Sequence, residues 1–401
     1  MSGLKQFVGN TARIAAAALC GFGIWQSLQY ARADHYFKQD TEESIRTAIR
    51  LVPDGWPYYM RLAQFDSAHA QELLKTSIQL NPYNAQADVE LGLQLESRGD
   101  FARAEKQLNQ AYSVDHTYMP RWTLANYYLR RDNLPMFWEW ARSAAAMPAD
   151  DIGALFQLCW KASSDPDTIT RNISNTNPQF LRQYIAFLLN KNQAVAATNL
   201  SSQLISVGDP VSDLPSLFTV INRLVAEDQP VPAQSLWRTL KERQWVMADS
   251  SLPNNAGFSR APVPVSFDWS LPEYTGLHSW PGPSGLQVEL TGNEPENAVI
   301  ADQYVVLNSG NYSLNFKYHT NDIPPGTGIR WQILEPVSLK PIAESSDLSS
   351  AQIKQEGVQF SVASDDALLL LRLSYHRTLG TVRISGNVNV DSLEIQVRSS
   401  Q

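Results

Sequence analysis

The sequence predicts a multidomain α plus β chain. An N-terminal transmembrane helix leads into an α-solenoid of stacked helix pairs, followed by a C-terminal β-sandwich of jelly-roll type. Three observations carry this reading. The stretch from Ala85 to Tyr118 places small and apolar residues at the spacing of two short antiparallel helices. Beyond a segment rich in Pro, Gly, Asn and Ser (Ala248 to Pro264), the hydrophobic period changes from helical to two. No charged residue stands between Arg13 and Arg32. The divisions that follow are 1–30, a tail and membrane anchor; 31–247, the solenoid; 248–264, a linker; and 265–401, the sandwich.

The best-formed repeat sets the pattern. Leu91, Gly92, Leu95, Ala104, Leu108 and Ala111 give two helices a small-residue contact line, and Gly99-Asp100 supplies the turn. This matches the tetratricopeptide pattern of about 34 residues, whose single unit buries its apolar face only by stacking on neighbours. Leu62-Ala63 and Leu124-Ala125 repeat the Leu91-Gly92 step on either side, and prolines such as Pro82 and Pro148 close the units. From Asp151 to Trp245 the pattern degrades but stays helical. Ile152–Ala162, Gln179–Asn190, Gln193–Ile205, Leu214–Glu227 and Ala233–Trp245 each keep i, i+3, i+4 apolar spacing.

With 401 residues, the chain is too long for one ordinary core. Apolar content of 43% and charged content of 18% are those of globular protein. The formal charge of −8 argues against a nucleic-acid partner, which needs a basic surface. Cys20 and Cys159 form neither a disulfide framework nor a zinc motif, and no cofactor motif is present.

The apolar run Ile14 to Trp25 has the length of a short spanning helix, weakened at its far end by Gln26, Ser27 and Gln29. Lys5, Arg13 and the Ala31-Arg32-Ala33 step also fit a signal peptide cleaved near Ala33. The uncleaved anchor is the better fit. Thr41 to Pro53 reads as the second helix of a repeat whose first helix, Leu28 to Lys38, continues the apolar run.

Trp122, Trp138, Trp140 and Tyr127-Tyr128 stand at helical spacing, where aromatics mostly pack between repeats. Trp140, Tyr127 and Trp122 are the candidates for a protein-partner surface on the concave face of the solenoid. After residue 264, about nine short strands separated by turn residues imply the sandwich. They read at Ser266–Trp269, Gly285–Leu290, Val299–Leu307, Tyr312–Tyr318, Ile329–Ile333, Val358–Val362, Leu368–Tyr375, Thr381–Ser385 and Ser392–Val397, and alternation places Trp331 in the core.

The strand NYSLNFKYHT and the late strand NVNVDSLEIQV resemble the galactose-binding-like jelly rolls of carbohydrate-binding modules. The chain as a whole resembles bacterial membrane-anchored tetratricopeptide proteins of exopolysaccharide and O-antigen clusters, with Phe267–Trp269 and Tyr375–Gly386 in the place of their C-terminal signatures. That resemblance implies a role near polysaccharide assembly. It also implies a single-pass protein of the cytoplasmic membrane with its soluble part in the periplasm.

Sugar rings present apolar C–H faces, so a glycan site uses exposed aromatics beside polar groups. The segment FDWSLPEYTGLHSWPGPSG has that composition. It nominates Trp280, Tyr274 and Trp269 as the platform, with Asp268 or Glu273 accepting hydroxyls. Asp365-Asp366 and Glu294/Glu296 read as turn residues rather than as a glycoside-hydrolase pair, and G-x-S-x-G is absent. His319 and His376 are a pair to test across strands. No metal ligands are nominated. The expected activity is non-catalytic: an adaptor holding a protein on its solenoid and a polysaccharide on its sandwich.

Overall fold

The structure is a computed structural model that describes residues 2–148, 150–247, 251–377 and 380–398, with side chains from residue 16 onward. The chain forms two compact units, 1–175 and 176–401.

The first unit is a run of helices, each packed on the next: α1 (Ser2–Phe37), α2 (Glu42–Leu51), α3 (Trp56–Phe65), α4 (Ala70–Leu80), α5 (Ala85–Ser97), α6 (Phe101–Val114), α7 (Tyr118–Arg130), α8 (Leu134–Ala145), α9 (Gly153–Ala162) and α10 (Pro166–Ile173). The small residues do what their spacing predicts. A Cβ on Gly92 of α5 would lie 2.6 Å from Leu108 of α6, so only glycine allows this approach. Ala104, Leu108 and Ala111 are buried on the facing side. Gly99 makes the turn at φ +80°, and Asp100 caps α6 by accepting from the Arg103 N–H. Helix α10 was not anticipated. Asp165 caps it by accepting from the Asp167 and Thr168 N–H groups, and Pro166 opens its first turn.

The N-terminal helix requires a correction. Among the described residues no helix is long and apolar enough to cross a membrane. The expected single-pass placement is therefore overturned. Physically, Gln26, Ser27 and Gln29 interrupt the apolar run before Arg32, and Arg13 bounds it on the other side. Ala33 lies inside α1, is fully buried, and packs in a cluster with Ile45, Ala48, Val52, Tyr58 and Leu62.

The second unit joins four helices to the sandwich: α11 (Pro178–Asn190), α12 (Ala194–Val207), α13 (Pro210–Ala226) and α14 (Pro230–Glu242). Nine strands follow among the described residues, all paired antiparallel. One sheet has the order β1 (Leu277–Gly282), β2 (Gly285–Thr291), β9 (Ser385–Val397), β4 (Gly310–Asn321), β7 (Lys354–Val362). The other has the order β3 (Asn297–Leu307), β8 (Ala367–His376), β5 (Ile329–Leu334), β6 (Pro341–Glu344). The alternating strands meet face to face: Leu314, Phe316 and Tyr318 of β4 share one core with Ile329, Trp331 and Ile333 of β5. Trp331 is fully buried, as its alternation predicts.

Residues 266–269 do not form the expected first strand. Phe267, Asp268 and Trp269 are all buried, so this segment plugs the domain instead of alternating. It is tied down by a bridge from Ser270 to Asp302 of β3. Residues 381–384 are not strand either, while β1 and β6 were missed.

One clamp ties α13 to the segment entering the sandwich, and a second ties the preceding linker to β3. The Asn222 side chain on α13 accepts from the Ser266 N–H (2.7 Å) and hydroxyl (2.9 Å) and donates to the Pro264 carbonyl (3.1 Å). The Gln303 amide clamps Asn254, accepting from its N–H (2.8 Å) and donating to its carbonyl (2.9 Å).

Candidate functional site

Register builds the most distinctive surface of the sandwich. In the five-stranded sheet Leu277, Leu286, Val288, Val388, Val390 and Tyr318 point into the core. Their chain neighbours therefore point outward. Trp280 pairs with Gln287, Gln287 with Asn389, and Asn389 with His319. These four side chains form one row across four strands, about 14 Å long at the usual strand spacing. The next row is His278, Glu289, Asn387 and Asn321. Further down the same face, Ser313 donates to Asn315 (2.8 Å) and Asn315 donates to Gln396 (3.1 Å). The face is thus mostly carboxamide and hydroxyl, with one large aromatic at its edge.

Local chemistry holds this row in place. Gly285, at φ +119°, sits against the Val390 carbonyl where a side chain has no room, which fixes β2 on β9. The His319 ring lies between Asn389 (Nε2 to Nδ2, 3.0 Å) and Asp391 (Nδ1 to Oδ1, 3.6 Å). Asp391 sits where the β4–β9 register shifts, so it projects beside the row rather than in it.

The sequence-nominated platform is dispersed. Trp280 is 44% exposed and keeps its place on the row. Trp269 is 2% exposed; its indole N–H donates to the Asn255 carbonyl (3.0 Å) and its ring stacks on Phe258 (4.7 Å). It is a core side chain. Asp268 is equally buried. It pairs with Arg260 and accepts from the Val263 (3.1 Å) and Trp269 (2.9 Å) N–H groups, so its oxygens are committed. Glu273 is exposed. Tyr274 is half-buried, and its hydroxyl accepts from the Val299 N–H at 3.4 Å. It lines a cleft of about 340 Å³ on the four-stranded sheet, with Asn297, Gln332, Arg372, Ser374 and His376. Trp280 is not part of that cleft.

The carboxylates do not assemble a hydrolytic pair. Asp365 accepts from the Ser309 hydroxyl (2.7 Å) and N–H (2.9 Å), which hold its carboxyl below the usual range. Glu294 was expected at a solvated edge but is 1% exposed, accepting from the Ile384 N–H (3.0 Å) and the Tyr375 hydroxyl (3.3 Å). Burial first, then the Glu294 charge, pushes the Tyr375 phenol up to about 12. His319 and His376 lie on β4 and β8, in different sheets. Among the described residues no group of three or more His, Cys, Asp or Glu is placed to hold a metal ion.

On the helical unit the three nominated aromatics separate as well. Tyr127 is buried, its hydroxyl donating to the Phe101 carbonyl (3.0 Å), so it cements α7 to α6. Trp140 packs edge-on against Tyr112 (4.8 Å), between α8 and α6. These two are packing residues. Trp122 is half-buried and shares a face of α7 with Met119 and Asn126 by helical spacing. Gln86, Glu90 and Leu93 form a matching stripe on α5, which contacts α7. Arg130 locks the two helices together, reaching both Glu96 oxygens at 2.8 and 2.6 Å. Burial pushes the Glu90 carboxyl above its ordinary value, opposed by donation from Gln86 and Gln64.

No protein-family model matches the sequence. No curated protein matches it either. Among solved structures, the chain is similar to a thermophilic TPR protein of Thermus thermophilus, with 21% identity, 35% of this chain and 80% of that one covered, and a TM-score of 0.28. It is similar to Pseudomonas aeruginosa pilF at 14% identity, covering 55% and 93%, with a TM-score of 0.27. It is similar to TmCBM61, solved with β-1,4-galactotriose, at 12% identity, covering 37% and 100%, with a TM-score of 0.27. These overlaps are shallow. The architecture of tetratricopeptide-like helix pairs and an antiparallel sandwich stands on the helix packing and sheet register described above.

Proposed function

We propose that the protein is a non-catalytic adaptor that holds a polypeptide segment on its helical repeats and a glycan on its sandwich. The setting we propose is bacterial envelope polysaccharide assembly, in line with the resemblance of the sequence. In functional terms the solenoid is taken as 31–247, the joining segment as 248–264 and the sandwich as 265–401.

One observation carries the glycan half: the row Trp280, Gln287, Asn389, His319 on the outer face of the five-stranded sheet. An aromatic edge offers a stacking surface for a sugar ring, and carboxamides offer both donors and acceptors to its hydroxyls. The polypeptide half rests on the α5–α7 face, where Leu93, Met119 and Trp122 supply apolar contact beside Gln86 and Glu90.

A glycan array tests the first half. Wild type should bind a subset of glycans, and Trp280→Ala should lose that signal at least tenfold while keeping its melting temperature. Silence on a broad array, or equal binding by the variant, refutes the glycan site. The Asn222 clamp favours a second reading, a protein scaffold whose sandwich only stabilises its neighbouring helices. A stoichiometric partner lost on Trp122→Ala, with no glycan bound, would establish it.

A further inference from the structure

We propose that the outer face of the four-stranded sheet carries a second sugar site, separate from the Trp280 row and selective for a glycan unit bearing a carboxylate. It extends the glycan half of the proposed function to another surface and another ligand class.

The cleft of about 340 Å³ is built on β3, β8 and β5, with Tyr274 from the preceding loop as one wall. Arg372, Ser374 and His376 stand at alternate positions of β8 and so share its outer side. Register sets Asn297 opposite His376, and Gln332 opposite Arg372. No Asp or Glu lines the cleft, although the chain carries 40 such residues against 32 Lys and Arg.

The hydrogen bonds already made satisfy Ser374 and Gln332 and leave donors on Arg372 and Tyr274. Asp302, which lies outside this cleft, takes Arg372 Nη2 at 3.1 Å. The Arg372 Nε–H is buried beneath the cleft and has no partner among the described residues, so the guanidinium is not fully satisfied by its ion pair with Asp302. The Tyr274 hydroxyl accepts from the Val299 N–H, its one hydrogen bond among the described residues, which leaves its own proton to give. Ser374 donates to Gln332 Oε1 (2.9 Å), and Gln332 donates to Glu344 (2.6 Å). One His376 nitrogen is held by the Asn297 side chain. A cleft with an aromatic wall, amide and hydroxyl groups, a guanidinium and no carboxylate is complementary to a hydroxylated ring with an anionic acceptor. A uronic acid is the simplest ligand of that kind.

Isothermal titration of the full chain with tri-galacturonate and with its methyl ester tests the charge selectivity without altering the protein. The free acid should bind at least tenfold more tightly, and rising salt should narrow the difference. Tyr274→Ala and Arg372→Gln should each weaken the acid at least tenfold. Tyr274→Phe, which keeps the ring packed, separates loss of the hydroxyl from loss of fold. Trp280→Ala should leave acid binding unchanged. Equal affinity for acid and ester, no binding of either, or loss of acid binding on Trp280→Ala with Tyr274→Ala intact would overturn the inference. The array result for Trp280→Ala decides the glycan reading on its own.

Discussion

Asn222→Ala is the sharpest test of how the second unit is held together. The substitution removes two bonds accepted from Ser266 and one donated to Pro264. Each is worth about 1 kcal/mol net, and half-exposed groups recover part of the loss by binding water, so about 2 kcal/mol is expected. The helix itself should survive, because alanine is the better helix former at that position. Urea denaturation of the full chain, followed by tryptophan fluorescence, measures the loss; Trp237 and Trp269 lie on either side of this joint. Hydrogen exchange at the Ser266 amide localises it. Asn222→Asp keeps the two accepted bonds but sets an acceptor against the Pro264 carbonyl, so it isolates the donated bond and should cost more as the carboxyl ionises. Thr219→Ala is the control, since among the described residues the Thr219 hydroxyl bonds only within its own helix, to the Pro215 carbonyl. Unchanged stability together with unchanged protection of the Ser266 amide would show that the clamp contributes nothing.

Two further outcomes are expected. Asp88 is fully buried, accepts from Gln107 through one oxygen, and has its other oxygen without a partner among the described residues. Burial raises its pKa in the folded state, opposed by the Gln107 bond. A raised folded value favours the protonated form. The contribution is therefore full below the unfolded Asp value of about 3.9 and is lost as pH climbs through the folded one. Asp88→Asn keeps the acceptor and does not titrate, so it should exceed wild type in urea midpoint at pH 7, with the gap closing near pH 4; a gap that widens on acidification contradicts this. Cys159 is buried, and burial pushes its thiol up to about 12, whereas Cys20 is exposed. Iodoacetamide at pH 8 should label Cys20 within minutes and Cys159 only in denaturant, as read by peptide mass spectrometry; early labelling of Cys159 would show that α9 opens in the native state.

The helical repeats were legible because their signals are local. Apolar spacing, small residues and a closing proline all fall within one turn or two, and the observed helices follow them closely. Helix α10 escaped because eight residues give too short a period; its Asp165-Pro166 cap was the signal available. Strands β4 and β5 were legible from strict alternation. Strand β1 reads LHSWPG and looked like a loop, yet proline is tolerated at a sheet edge, which is where β1 lies. The nominated site fared worse, because composition does not decide burial. Trp269 and Trp280 sit in one aromatic-rich segment, and one is in the core while the other is exposed. Gln287, His319 and Asn389 are scattered through the chain; His319 was paired in sequence with His376, and nothing marked Gln287 or Asn389. Only the register makes them neighbours.

The two outer faces of the sandwich differ for a physical reason that bears on where a ligand is to be sought. On the four-stranded sheet Val306, Leu334, Leu368 and Leu370 alternate with core residues and so point outward, yet all are buried. Val306 and Tyr304 line a cleft with Trp237 of α14 and with Phe267, and the rings of Trp237 and Phe267 lie 6.4 Å apart. Part of the apolar surface on that sheet thus faces α14 of its own unit, while the Tyr274–Arg372 end is polar. The five-stranded sheet carries no such apolar stripe. Its outward positions are amides, hydroxyls and charges that water solvates well, so folding does not require them to be covered. A single exposed tryptophan among them is the exception, because burying a ring that size would be worth about 2–3 kcal/mol. Loosening the helices by Asn222→Ala should therefore leave ligand binding on the Trp280 row intact; coupled loss of both would place the row's organisation under the control of α13 and α14.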